Sequence, residues 1–228
     1  GLIARHTGDH RGALRHYLEC ERRAAAFGDE VMRRSATQGR ALVFQTLGRY
    51  ADAVELLSRM SESATAPCER APLLNNLGLA LTQLPPAARA LDPLPLLEAS
   101  RALWGGACPS PAQVALPSLN LATLHLEAQR LPEAEAALER ARAAPHPSQA
   151  CLEWATFLEG RLALATTDPA RALERFDHLI ARVGSNVGMR WRGEVGRARA
   201  LAALDRSDEA LAAHAAASTT LERALARI

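Results

Sequence analysis

An all-α fold built from stacked helix hairpins is what this sequence predicts, and three observations carry it. Alanine and leucine dominate the 228 residues, apolar side chains make up 48% and aromatic ones only 4%, a balance that favours helices over strands. Small and apolar residues recur at helical spacing between short polar turns. The alanine that follows each turn stands at Ala13, Ala53, Ala134, Ala172 and Ala210, at intervals of 40, 81, 38 and 38 residues. Since 81 is close to twice 40, one degenerate copy fills the gap after Ala53. The expected architecture is a single α-solenoid domain over 1–228, a segment of a longer protein, with about six antiparallel hairpins at a pitch of 38–40 residues and the first one truncated. In such a stack each hairpin buries its apolar face against its neighbours.

The elements follow in order. Residues 2–7 read as the tail of a helix and 8–10 as its turn. Over 11–27, Ala13, Leu14, Tyr17, Leu18, Cys20 and Ala24 make one face opposite arginines and glutamates, the pattern of an amphipathic helix. Gly28-Asp29 stops it, and a second helix runs over 30–46 with Ala36, Ala41, Leu42 and Phe44 inward. Gly48 then ends that helix, and Ala53, Leu56, Leu57 and Met60 open the next apolar stripe. Pro67 starts a helix whose interior Gly78 marks a place where another helix approaches closely, because glycine in a helix costs about 0.5–1 kcal/mol relative to alanine. The repeat around 67–110 is the degenerate one: Pro85-Pro86 breaks the helix, 87–95 is irregular, and a helical face resumes at Leu96-Leu97. From Ala112 the register returns, with Pro132, Asp168-Pro169 and Ser207-Asp208-Glu209 supplying helix starts.

Charge and cysteine usage bound the function classes. The formal net charge is +2, which gives no global electrostatic case for nucleic acid or an anionic membrane. All 27 basic residues are arginine, the usage of a GC-rich, bacterial genome. Cys20, Cys68, Cys108 and Cys151 belong to no C-x-x-C or Cys/His cluster and read as small unpaired fillers in a reduced, cytoplasmic setting. No apolar run approaches the ~18 residues of a membrane span, and the N-terminus lacks a signal-peptide design.

The stretches Leu47-Gly48-Arg49-Tyr50-Ala51-Asp52-Ala53, Asn76-Leu77-Gly78-Leu79-Ala80 and Asp208-Glu209-Ala210-Leu211 resemble tetratricopeptide repeats (TPR). That resemblance implies a right-handed solenoid. It places the family's small first-helix residue at Ala41, Gly78, Ala122, Gly160 and Ala198, followed three on by Phe44, Leu81, His125, Ala163 and Leu201. His125 and Ala163 depart from the pattern, as do residues 85–95. Residues 191–204 with the following Asp208-Glu209-Ala210-Leu211 are also similar to the last repeat before the caspase-like CHAT protease domain of GC-rich bacterial proteins.

Enzyme chemistry has no foothold in the sequence. No histidine pair shows the i, i+4 metal pattern with a third ligand, and no cysteine has a neighbouring histidine. Gly184, Gly188, Gly193 and Gly196 fit neither phosphate-binding motif. The expectation is therefore a segment with no catalytic residue, metal or cofactor.

Binding chemistry follows from the resemblance, which implies that first helices line a concave groove and puts Gln38, Asn75, Asn76, Asn120, Trp154, Phe157, Arg161, Arg192 and Arg199 on or near it. Asparagines there hold a peptide backbone with one donor and one acceptor each, or else bond within their own hairpin. Six arginines over 182–206 (182, 190, 192, 197, 199, 206) face Glu194 and Asp205; with Arg161 they suit an acidic peptide, or they form a solvated helix face. The expected function is a protein–protein interaction scaffold that holds a peptide segment or partner domain, with no nucleic acid and no membrane. The alternatives are a regulatory arm of a downstream catalytic domain, a CHAT protease or signalling ATPase, without a ligand of its own, and a plain structural spacer.

Overall fold

The computed structural model describes residues 9–108, 113–184 and 186–225. Among them are eleven α-helices, one 3₁₀ turn and no strand. The helix tail and turn expected over 2–8, and the helix start expected at Ala112, lie outside the described residues. The chain divides into two compact units, Gly1–Pro109 and Ser110–Ile228.

In the first unit, α1 (His10–Phe27), α2 (Glu30–Thr46), α3 (Tyr50–Ser63), α4 (Pro67–Thr82) and α5 (Pro93–Gly105) each pack on the next. The starts of α1 and α2 are fixed by side chains: Asp9 accepts from the Gly12 amide at 2.8 Å and Asp29 from that of Met32 at 2.9 Å, which satisfies amides that no helical carbonyl reaches. The core runs through Ala41, Ala53, Leu56, Leu57, Leu73, Leu77, Ala80 and Leu81. Gly78 has the expected role, since a β-carbon there would lie 2.6 Å from Leu97 Cγ of α5.

The second unit comprises α6 (Ala115–Glu127), α7 (Leu131–Arg142), α8 (Gln149–Ala165), α9 (Pro169–Arg182), α10 (Val187–Ala203) and α11 (Ser207–Leu225). Ser148, Asp168 and Asn186 cap α8, α9 and α10 through the amides of Cys151, Arg171 and Met189. Phe176 of α9 is fully buried, with Ala163, Ala172 and Ala200 around it. Ala198 and Leu201 of α10 meet Ala210 and Ala213 of α11.

One joint geometry repeats within the hairpins. Gly48, Gln129, Thr167 and Asp205 all have left-handed φ, at 71°, 56°, 58° and 60°. The amide after each donates back to a carbonyl five residues earlier: Arg49 to Phe44, Arg130 to His125, Asp168 to Ala163 and Arg206 to Leu201, at 2.8–3.0 Å. This is the Schellman closure, which pairs carbonyls left over at a helix end. The alanine five residues after each left-handed position, Ala53, Ala134, Ala172 or Ala210, then donates to the carbonyl that opens the next helix. His125 and Ala163, poor matches as side chains, accept this bond through their backbones, so the joint does not need a particular residue there. The α4–α5 hairpin lacks the joint. A 3₁₀ turn at Pro86–Ala88 bridges its helices instead, and Arg89 donates to the carbonyls of Leu84 and Thr82 at 3.0 Å.

The cysteines correct the reading of four unpaired fillers. Cys68 and Cys108 form a disulfide with a Cα–Cα separation of 5.1 Å, while Cys20 and Cys151 remain free. Sequence spacing concealed the pair because the partners lie 40 residues apart and meet only when α4 and α5 fold back on each other. No described helix is long and apolar enough to cross a membrane.

Candidate functional site

Within the second unit the first helices of successive hairpins touch: α6 packs on α8, and α8 on α10. This brings side chains one repeat apart in sequence next to each other in space. Arg192 is 38 residues after Trp154 and Arg199 is 38 after Arg161. The Arg192 guanidinium lies 5.5 Å from the Trp154 ring centroid, and that of Arg161 5.9 Å from Phe157. The rings of Trp154 and Phe157 are 5.5 Å apart and tilted, and Phe157 stands 6.1 Å from Phe176 beneath it. The result is a half-buried aromatic pair flanked by two guanidiniums, anchored to the core through Phe176. Cation–π contact of this kind contributes about 0.5–1 kcal/mol and holds the arginine planes in place without using their hydrogen-bond donors.

Electrostatics single out Arg161. Burial pushes its guanidinium below the ordinary value; Glu127 of α6 opposes that shift, and Arg199 adds to it. Arg161, Arg192 and Arg199 form no ion pair within 4 Å among the described residues, whereas Arg142, Arg175, Arg197 and Arg206 in the same unit do so with Glu159, Glu174, Asp177 and Glu209. The basic stretch over 182–206 therefore resolves into separate roles. Arg197 and Arg206 are held by acids, Arg190 donates to the Val183 carbonyl at 3.0 Å, and Arg182 Nη1 stands 3.3 Å from His178 Nε2. Arg192 Nη1 donates to the Gly188 carbonyl at 3.5 Å, and Arg192 and Arg199 are both exposed.

The remaining sequence candidates separate by unit. Asn120 is buried on α6. Gln38, Asn75 and Asn76 belong to the first unit, where α2 meets α4. Asn75 is buried there and donates to Asn76 Oδ1 at 3.3 Å, and Gln45 donates to the Asn76 carbonyl at 2.8 Å. Gln38 borders a cavity of about 210 Å³ with Met60, Ala64, Cys68 and Leu73. Glu127 and Phe176 were not singled out from the sequence. Glu127 ends its helix 34 residues before Arg161, off the repeat pitch, so periodicity gave no signal. Phe176 lies on a second helix, where the apolar pattern marks core only.

Among the described residues no three His, Cys, Asp or Glu side chains gather as a metal site. His125 is buried on α6, while His146, His178 and His214 are exposed on separate elements.

The folded architecture belongs to the class of TPR-like helical repeats. A crystal structure of a kinesin light chain of Podosopora anserina with nearly identical TPR-like repeats superposes at TM-score 0.57, with 17% identity over 83% of this chain and 95% of that one. A single-substitution variant of the same protein gives TM-score 0.59, again 17% identity, over 84% and 95%. At this identity the similarity is one of fold. No protein-family model matches the chain, and no curated protein matches it.

Proposed function

We propose that the chain is a protein-interaction scaffold and that the α8–α10 face of its second unit holds an acidic segment of a partner protein. One observation carries this reading: among the described residues Arg161, Arg192 and Arg199 form no ion pair, while Arg142, Arg197 and Arg206 in the same unit are neutralised by neighbouring acids. A carboxylate arriving there gains charge-assisted bonds, about twice the strength of neutral ones, from donors already oriented by Trp154 and Phe157. The aromatic pair supplies the apolar contact that a charge patch alone lacks. The occupant is a segment of a separate chain or of a flanking domain of the same protein, since the chemistry is shared.

Selection of random peptides displayed on phage tests this. Enriched peptides are expected to carry two or more Asp or Glu residues, and to lose binding to an Arg161→Ala/Arg199→Ala variant that keeps its helical content. Enrichment of neutral or basic sequences, or equal binding to the variant, overturns the reading.

A further inference from the structure

The α4–α5 hairpin differs from the other described hairpins at its turn, and it is weakly held at the opposite end, where α4 starts and α5 closes. Its turn lacks the left-handed joint found in the other described hairpins. The N-cap of α4 is Ala66, which has no side-chain bond to offer, and α5 closes at Gly106 in an irregular conformation (φ −129°, ψ −89°). Pro72 lies inside α4, and its missing amide is the one that would have donated to the Cys68 carbonyl four residues earlier. The helix ladder is therefore interrupted at Cys68, where the disulfide to Cys108 is attached. Further in, Ser100 Oγ donates to the Ala71 carbonyl at 2.7 Å, and Leu97 seats on Gly78. Before Ala71 the first turn of α4 is tied to the rest of the unit by the bridge and by the Arg34–Glu69 ion pair.

Cys68 is exposed, whereas Cys108 is buried. Cys68 also forms part of the wall of the cavity of about 210 Å³ between α2, α3 and α4, beside Gln38, Met60, Ala64 and Leu73. The Arg34–Glu69 ion pair, at 2.5 Å, links α2 to that same first turn.

We propose that Cys68–Cys108 is an exchangeable fastener, and that reduction by a dithiol releases the first turn of α4 and the end of α5, loosening the wall of this cavity. A thiolate of the reductant attacks Sγ of Cys68, forms a mixed disulfide and expels the Cys108 thiolate, which takes up a proton. The second thiol of the reductant then closes on its own sulfur and releases Cys68. Two electrons pass from the dithiol to the protein disulfide, and the reductant leaves as a cyclic disulfide. Accessibility at Cys68 permits the attack without global unfolding, and the weak capping confines the change to one end of one hairpin.

Thiol counting and hydrogen exchange on the full chain, with and without dithiothreitol, test this. The oxidised protein is expected to show two alkylatable thiols after denaturation and four after native treatment with the dithiol. Amides over 67–75 and 98–108 should then exchange at least tenfold faster, with those over 115–203 unchanged. A Cys68→Ser/Cys108→Ser variant should reproduce the reduced pattern and not respond to the dithiol. Four thiols before reduction, a bridge that yields only in denaturant, or equal exchange in both redox states overturns the proposal.

Discussion

The ring of Phe176 lies so close to Gly160 that a β-carbon on that glycine would stand 2.6 Å from Cε1. Phe176 is fully buried, and the same ring edge also abuts Gly196 of α10. A second-helix aromatic is thus wedged between two first helices, each of which gave up a side chain to admit it. Gly160→Ala gains helix propensity, worth about 1 kcal/mol, but forces the ring or a helix to move, which costs about 1–3 kcal/mol in a close-packed core. The net expectation is destabilisation, read as a lower denaturant midpoint. The same substitution at Gly184, where nothing lies within 4 Å, should leave the midpoint nearly unchanged.

Thr167 offers the opposite change. It holds φ +58° at a joint that Gly48 fills elsewhere, and a β-branched residue in the left-handed region is strained by about 1–2 kcal/mol. Thr167→Gly removes that strain at some cost in unfolded-chain entropy, so a gain of up to about 1 kcal/mol is expected. Asp205→Gly should gain less, because aspartate tolerates this region. Thermal unfolding of the two variants gives the ranking.

Acid titration should find Glu19 and Glu30 far from their ordinary value of 4.5. Hydrogen bonds from Arg22 and then Arg23 hold Glu19 at about 2, and Arg33 and then Arg34 do the same for Glu30. A carboxylate whose folded value is depressed stabilises the fold above its unfolded value, and that contribution is lost as pH falls from about 4.5 towards 2. Both carboxylates are open to solvent on one side, so the effect is salt-sensitive. Carbon-13 NMR should show both values rising towards 4.5 in molar salt. Values that stay low in salt would contradict exposed pairing as the cause.

Much of this architecture was legible because it is periodic. The alanine spacing located the joints, and Gly78 announced the approach of Leu97. The same 38-residue pitch, applied to side chains, would have paired Trp154 with Arg192 and Arg161 with Arg199, so the core of the candidate surface was present in the sequence as a repeat-register signal. Other features were not periodic and therefore not legible. The Cys68–Cys108 bridge depends on how a proline-interrupted hairpin closes. The neutralisation of Arg197 by Asp177 and of Arg206 by Glu209 depends on rotamers. Left-handed Gln129 and Thr167 carry no glycine to advertise the turn.

The central claim is that the α8–α10 face captures acidic protein segments. Quantitative affinity capture by the wild-type chain and by an Arg161→Ala/Arg192→Ala/Arg199→Ala variant of unchanged circular dichroism tests it most directly. Each lost charge-assisted contact is worth about 1.5–3 kcal/mol, so recovery of specific partners should fall at least tenfold, and those partners should share an acidic segment. Equal recovery by both proteins would contradict the account.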